Sequence, residues 1–208
     1  MSTRALYDAG VFEARVLAAH GVWLTEEDME LFAQSHASVA HCPVSNLKLG
    51  SGIARVAEMK RLDVNVALGT DGCCSNNTHN LFEEIKLAAL LQKGVSGDPT
   101  CLSAYDALKM ATVGGAKAQG RENEIGKIQE GFDADLILID TNTPTLRPVY
   151  DPISTTVYSA SGEDVCLTMV QGKILYENGQ FTTIDVEKAI YEVEQYAVPL
   201  VRGCATKD

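Results

Sequence analysis

Long apolar runs are missing from this sequence. No uninterrupted stretch approaches the roughly 18 residues of a membrane-spanning helix, so no candidate span is present. Basic charge is scarce: 17 Lys and Arg stand against 28 Asp and Glu, for a net charge of −11. A chain this acidic is a poor non-specific partner for nucleic acid or for an anionic membrane surface, and neither is expected as a partner. CxxC pairs are absent among the six cysteines, Cys42, Cys73, Cys74, Cys101, Cys166 and Cys204. A chain of 208 residues needs no covalent staples, so they read as reduced thiols that serve mainly as small apolar residues. The opening residues, MSTRALYDAG, lack the apolar core of a signal peptide, and the expected location is cytoplasmic. HxH and HExxH are absent, as are the Walker and dinucleotide glycine patterns.

What is present is an ordinary globular mix, 46% hydrophobic and 22% charged, long enough for one domain with a core plus an appendage. Up to about residue 120, short apolar runs alternate with helical patterns. Arg15 to Ala19 reads as a strand ending at His20-Gly21. Thr25 and Asp28 form a capping box that opens a helix running to about Ser35. Ser38 to Ala40 reads as a second strand ending at His41-Cys42-Pro43, followed by a polar loop from Val44 to Gly52 and a helix from about Ile53 to Arg61. Val64 to Leu68 reads as a third strand, ending at Gly69-Thr70-Asp71-Gly72, and a second long loop leads to a helix from about Asn80 to Lys93.

Strand, loop and helix repeated three times predict parallel strands joined by crossover helices, an α/β fold. Chemistry in such folds sits in the loops at the carboxyl ends of the strands, where His20, His41 and Asp71 fall. Ser103 caps a helix to about Val113, and Gly114-Gly115 reads as a break before a short helical piece to Gln119. From about residue 125 the pattern changes to short strands. These are Asp135 to Asp140, Val165 to Val170 and Lys173 to Tyr176, the last two joined as a hairpin through Gln171-Gly172. A terminal amphipathic helix follows from Ile184, with Val186, Ala189, Ile190, Val193 and Ala197 on one face.

Four histidines exist, His20, His36, His41 and His79. Imidazole nitrogens from His20 and His41 with a carboxylate oxygen from Asp71 are a donor set for a metal. The plain alternative for each His is a hydrogen-bonded structural residue, and Pro43 suits His41 to shaping a turn. Asp71, beside Gly69 and Gly72, could bind a metal and pass a proton; the alternative is an Asx turn capping the loop. His36 reads as a solvent-facing cation ending a helix, and His79 as a capping or loop residue.

AAHGVWL at 18–24, HCPVSNLKLGSG at 41–52, LGTDG at 68–72 and LFEEIKLAALLQK at 81–93 together resemble the amidohydrolase superfamily. The likeness is to its 5-methylthioadenosine/S-adenosylhomocysteine deaminases and their chlorohydrolase-like relatives. GKIQEGFDADLILID at 126–140 is similar to that family's return from its barrel into a small β-sandwich. The resemblance implies the last three strand-helix units of a (β/α)8 barrel over residues 1–124, part of the sandwich over 125–184, and a C-terminal helix and tail over 185–208. It implies that His20 orients and polarises the attacking water or the substrate. Asp71 is implied as metal ligand and proton carrier, and Ser45 and Asn46 as pocket wall; His41 matches a position that is not a metal ligand.

The family's first-strand HxH, its fifth-strand metal histidine and its proton-shuttling glutamate are all missing, because the region that holds them is absent. The expectation is therefore a fragment of a metal-dependent aminohydrolase for adenine-type nucleosides, inactive as this chain alone. The complete enzyme is expected to carry a divalent metal, zinc first and iron second. The open barrel is expected to self-associate as a homo-oligomer or to pair with an N-terminal half. Two alternatives remain: another hydrolase of the superfamily acting on guanine or s-triazine rings, and a non-catalytic interaction or assembly module.

Overall fold

The structure is a computed structural model that describes residues 3–205. After helix α1 (Thr3–Asp8), strand β1 (Leu17–Ala19) leads to α2 (Glu26–Gln34). Thr25 caps α2: its hydroxyl accepts from the Asp28 amide while the Asp28 carboxylate accepts from the Thr25 amide, a reciprocal box that satisfies two amides at the helix start. The helix turns Met29, Leu31 and Phe32 inward. Strand β2 (Ser38–His41) is followed at once by α3 (Pro43–Lys48), then α4 (Val56–Arg61) and β3 (Asn65–Leu68).

The three strands form one parallel sheet in the order β1-β2-β3, with Leu17 opposite Ser38 and Ser38 opposite Asn65. This is the α/β arrangement the strand-helix alternation implies. Its core is built from Met29, Val39, Met59, Val66, Ile85 and Leu102 among others.

Helices α5 (Cys73–Asn76), α6 (Leu81–Ser96), α7 (Ala104–Ala111) and α8 (Val113–Gln119) follow. Asn80 caps α6 through the Phe82 amide, and left-handed Gly97 closes it. Beyond them lie β4 (Leu136–Ile139), α9 (Pro152–Tyr158), β5 (Val165–Val170), β6 (Lys173–Glu177) and β7 (Gln180–Phe181). These four strands make a separate antiparallel sheet in the order β4-β5-β6-β7. The β5–β6 turn is the anticipated one: Gln171 and Gly172 both take positive φ, 49° and 74°, as a two-residue turn between twisted strands requires. The chain ends in α10 (Val186–Glu192), a π turn over Val193–Ala197 and α11 (Val198–Ala205).

Four details depart from the sequence reading. The stretch from Val44 is helical rather than a plain loop, because Pro43 starts α3 at a position where its missing N–H costs nothing. The break near residue 113 falls at Thr112, and α8 runs straight through Gly114-Gly115. Gly114 is there for packing: a Cβ on it would sit 2.4 Å from the Val66 carbonyl oxygen, so only glycine lets α8 lie on β3. Helix α9, unassigned by pattern, packs back on α6 and α7. The apolar face of the terminal helices stays in water, with Ile190 and Val193 each more than half exposed. No helix among the described residues is long and apolar enough to cross a membrane.

Candidate active site

Parallel pairing puts the carboxyl ends of β1, β2 and β3 on one edge. His20 follows β1, its amide donating to the Ala40 carbonyl at 2.8 Å. Asp71 lies three residues beyond β3. Both have left-handed backbones, φ 68° and 62°. Non-glycine residues occupy that region at a cost, and such strain clusters at functional sites. Gly69 and Gly72 take no positive φ; the sharp turn is made by Asp71 itself.

The two side chains converge: His20 Nε2 lies 3.8 Å from Asp71 Oδ2. Each is held by a residue of α3. The Ser45 hydroxyl donates to Asp71 Oδ2 at 2.7 Å. His20 Nδ1 contacts Asn46 Oδ1 at 2.8 Å. With that oxygen as acceptor, Nδ1 carries a proton, and Nε2 is the ring nitrogen that faces Asp71. Ser45 and Asn46 are themselves buried, so the helix that was read as a loop is the rigid bracket of the pair.

The Asp71 carboxyl is held down to about 2, first by the Ser45 hydroxyl, then by the Gly72 amide at 2.8 Å and the Ser75 side chain. Hydrogen bonds to the charged form, chiefly from the Ser45 hydroxyl and the Gly72 amide, outweigh the small effect of burial. Asp71 is therefore an anion at neutral pH.

His41 behaves differently. It is buried at 1% exposure, and neither ring nitrogen has a partner in good hydrogen-bond geometry among the described residues. Burial pushes its pKa down to about 4, so the ring is neutral. The structure thus leaves His41 outside the His20–Asp71 pair. Cys42, beside it, is pushed up to about 11 by burial and by the charges of Asp71 and Glu84, which makes it a poor nucleophile. His36 follows α2 in a left-handed turn. His79 sits in the loop before α6, Nε2 2.7 Å from Cys73 Sγ and Nδ1 3.2 Å from the Thr70 hydroxyl.

Sequence reasoning missed Ser75, Asn76 and Glu84. Ser75 lies four residues past Asp71 and Asn76 five, within one turn-rich loop, so their proximity was readable had that loop been folded into α5. Among the described residues, no group of three or more His, Cys, Asp or Glu is placed to hold a metal ion. His20 and Asp71 alone fall short of the three protein ligands that a catalytic zinc takes.

Comparison with known proteins fits this geometry. The chain is 51% identical over 193 residues to 5-methylthioadenosine/S-adenosylhomocysteine deaminase of Acetivibrio thermocellus, covering 93% of this chain and 45% of that protein. It is 50% identical over 200 residues to 5'-deoxyadenosine deaminase of Methanosarcina acetivorans, covering 96% and 46%. An adenosine deaminase from Xanthomonas campestris, solved with bound zinc, superposes with a TM-score of 0.92 at 35% identity, covering 96% of this chain and 45% of that one. Atrazine chlorohydrolase from Arthrobacter aurescens, also solved with zinc, gives 0.86 at 30%, covering 92% and 42%. The chain spans less than half the length of each of these relatives. Residues 2–175 match the Amidohydrolase family, and with the strand-end His20–Asp71 pair in place this chain belongs to that family.

Proposed function

We propose that this chain is the C-terminal portion of a metal-dependent aminohydrolase that deaminates adenine-type nucleosides such as methylthioadenosine or S-adenosylhomocysteine, and that it is inactive alone. The observation that carries this reading is the convergence of His20 and Asp71, each clamped by a residue of α3. The alternation of β1, β2 and β3 with helices supports residues 1–124 as the last three units of a (β/α)8 barrel, 125–184 as part of a β-sandwich and 185–208 as a terminal helix and tail. The relatives at about half identity are deaminases, which favours a purine nucleoside over a triazine or guanine. The clamped pair is also more than a bare assembly module needs. A cytoplasmic enzyme fits such a substrate.

Hydrolytic deamination replaces an exocyclic amino group with oxygen from water and releases ammonia. The donors present here do not close a metal centre, so we assign Asp71 as one ligand to an ion, zinc before iron, whose other donors lie beyond the matched region. Asp71, fixed as an anion by Ser45, Gly72 and Ser75, is in the state that binds a cation. His20, with its Nδ1–H on Asn46, offers the Nε2 lone pair as a proton or hydrogen-bond acceptor beside Asp71. Ser45 and Asn46 wall the pocket and fix the orientation of both. Among the described residues, the outer edges of β1 and β3 lack strand partners. We propose that they pair with the N-terminal half that the relatives carry; a homo-oligomer is the alternative occupant.

The test is reconstitution. The chain alone is expected to bind no stoichiometric zinc or iron by elemental analysis and to leave methylthioadenosine absorbance unchanged. Adding an N-terminal half taken from a deaminase relative is expected to restore both. Tight stoichiometric metal or turnover by this chain alone would overturn the claim of incompleteness. A stable reassembled complex that turns over triazines but not nucleosides would overturn the substrate.

A further inference from the structure

Glu84 is fully buried, at 0% exposure, on the first turn of α6, and among the described residues no salt bridge to it forms. Burial accordingly pushes its pKa up. An unpaired carboxylate in the interior is costly, and an apolar residue of the same size normally packs as well or better. What Glu84 does with its two oxygens accounts for its presence. Oε2 accepts from the Val44 amide at 3.1 Å, an amide at the start of α3 that no helical carbonyl can reach. Oε1 accepts from Asn76 Nδ2 at 2.6 Å. The same Asn76 nitrogen donates to the Thr70 carbonyl at 2.5 Å. Asn76 Oδ1 is fixed as an acceptor by the Thr78 amide and hydroxyl, at 3.4 and 3.1 Å, so the amide cannot turn over without losing both.

Val44 immediately precedes Ser45 and Asn46, and Thr70 immediately precedes Asp71. One carboxylate therefore ties α3, which carries both clamping residues, to the loop that carries Asp71. We propose that Glu84 is a positioning residue: it locks α3 to the Asp71 loop so that the Ser45–Asp71 and Asn46–His20 contacts form together. The meaning of this for turnover rests on the deaminase reading, whereas the lock itself is a property of this chain. The chemistry specifies a carboxylate, because both oxygens face N–H donors. Glutamine keeps the shape but must present an NH2 to one of those donors.

The experiment is NMR on the full chain, comparing wild type with Glu84→Gln, Asn76→Ala and Val157→Ala. Val157 is fully buried in α9 and serves as a control for lost packing. Two signals are read: the His20 ring nitrogens, which report the Nδ1–H bond to Asn46, and exchange of the Gly72 amide, which bonds Asp71. Both are referenced to the β2 amides, which report overall opening. Glu84→Gln is expected to move the His20 ring signals and to speed Gly72 exchange about tenfold relative to β2. Asn76→Ala is expected to reproduce the Gly72 effect while leaving the Asn46 amide in place; it decides the matter if Glu84→Gln does not fold. Val157→Ala is expected to lower the unfolding midpoint and leave both signals, relative to β2, as in wild type. If the Glu84 and Asn76 variants behave like Val157→Ala, Glu84 is a packing residue and the proposal fails. No substrate enters the measurement, so this failure is separate from any failure of the deaminase assignment.

Discussion

The two sheets of this molecule meet water on different terms. In the parallel sheet, Val39 and Val66 are buried and helices cover them, so β2 and β3 sit inside the main core. In the antiparallel sheet, Ile137 and Leu138 of β4 are 45% and 51% exposed. Neighbouring residues on a strand point to opposite faces, so neither face of β4 is closed over. Short apolar strands thus reach different ends in the same chain. Strands β2 and β3 are stabilised by layers this chain supplies, whereas β1, with Leu17 50% exposed, and the antiparallel sheet lack a full cover within the described residues.

The largest expected effect tests that contrast directly. Met59→Ala removes a fully buried side chain from the helix layer over the parallel sheet and should cost about 3 kcal/mol in urea unfolding. Ile137→Ala on β4 should cost less than about 1 kcal/mol. Equal losses would mean that the antiparallel sheet is covered after all, by self-association in solution, and repeating the titration at several protein concentrations would reveal it.

The same contrast explains what the sequence made legible. The capping box at Thr25, the cap at Ser103, the β5–β6 hairpin turn and the three strand-helix units all depend on local pattern, and each was readable. His20, Asp71, Ser45 and Asn46 were singled out from strand ends and motif likeness, and the structure brings all four together. The approach of His20 to Asp71 was readable from their shared strand-end rim; the hydrogen bonds by which Asn46 and Ser45 hold them were not, because those depend on α3. A six-residue helix opened by Cys42-Pro43 looks polar and loop-like in sequence, and its start is satisfied from 40 residues away by Glu84. Gly114 misled for a related reason: its contact with Val66 is tertiary, so a packing glycine passed for a helix break.

A second test uses the buried imidazole of the parallel layer. An unfolded His titrates near 6.5 and folded His41 near 4. As pH falls through that window the unfolded chain takes a proton that the folded chain refuses, so stability is lost. The full difference is about 3 kcal/mol, present above pH 6.5 and gone below about 4. Unfolding free energies across this range should show the slope in wild type and its loss in His41→Leu. A slope that survives the substitution would assign it to another group. A smaller effect is expected at the rim of the same layer: Thr25→Ala removes the α2 cap and should cost about 1 kcal/mol by the same assay.

The smallest effect on stability carries the sharpest information about the site. Ser45→Ala deletes the hydroxyl that does most to hold the Asp71 carboxyl down at about 2. Asp71 is exposed, so water replaces the lost donor and the fold should lose little stability. The carboxyl should nevertheless titrate higher, moving toward the ordinary value of 3.8. The sign follows from the linkage: a depressed carboxyl stabilises the fold above its unfolded pKa and loses that contribution as pH falls through its folded one. In wild type the loss spans about 3.8 to 2, and in Ser45→Ala the window narrows from below. Carbon-13 titration of the Asp71 side chain reads this directly. A midpoint that stays at about 2 in the variant would show that Gly72 and Ser75 suffice to hold the anion, and that α3 contributes to the pair through Asn46 and His20 alone.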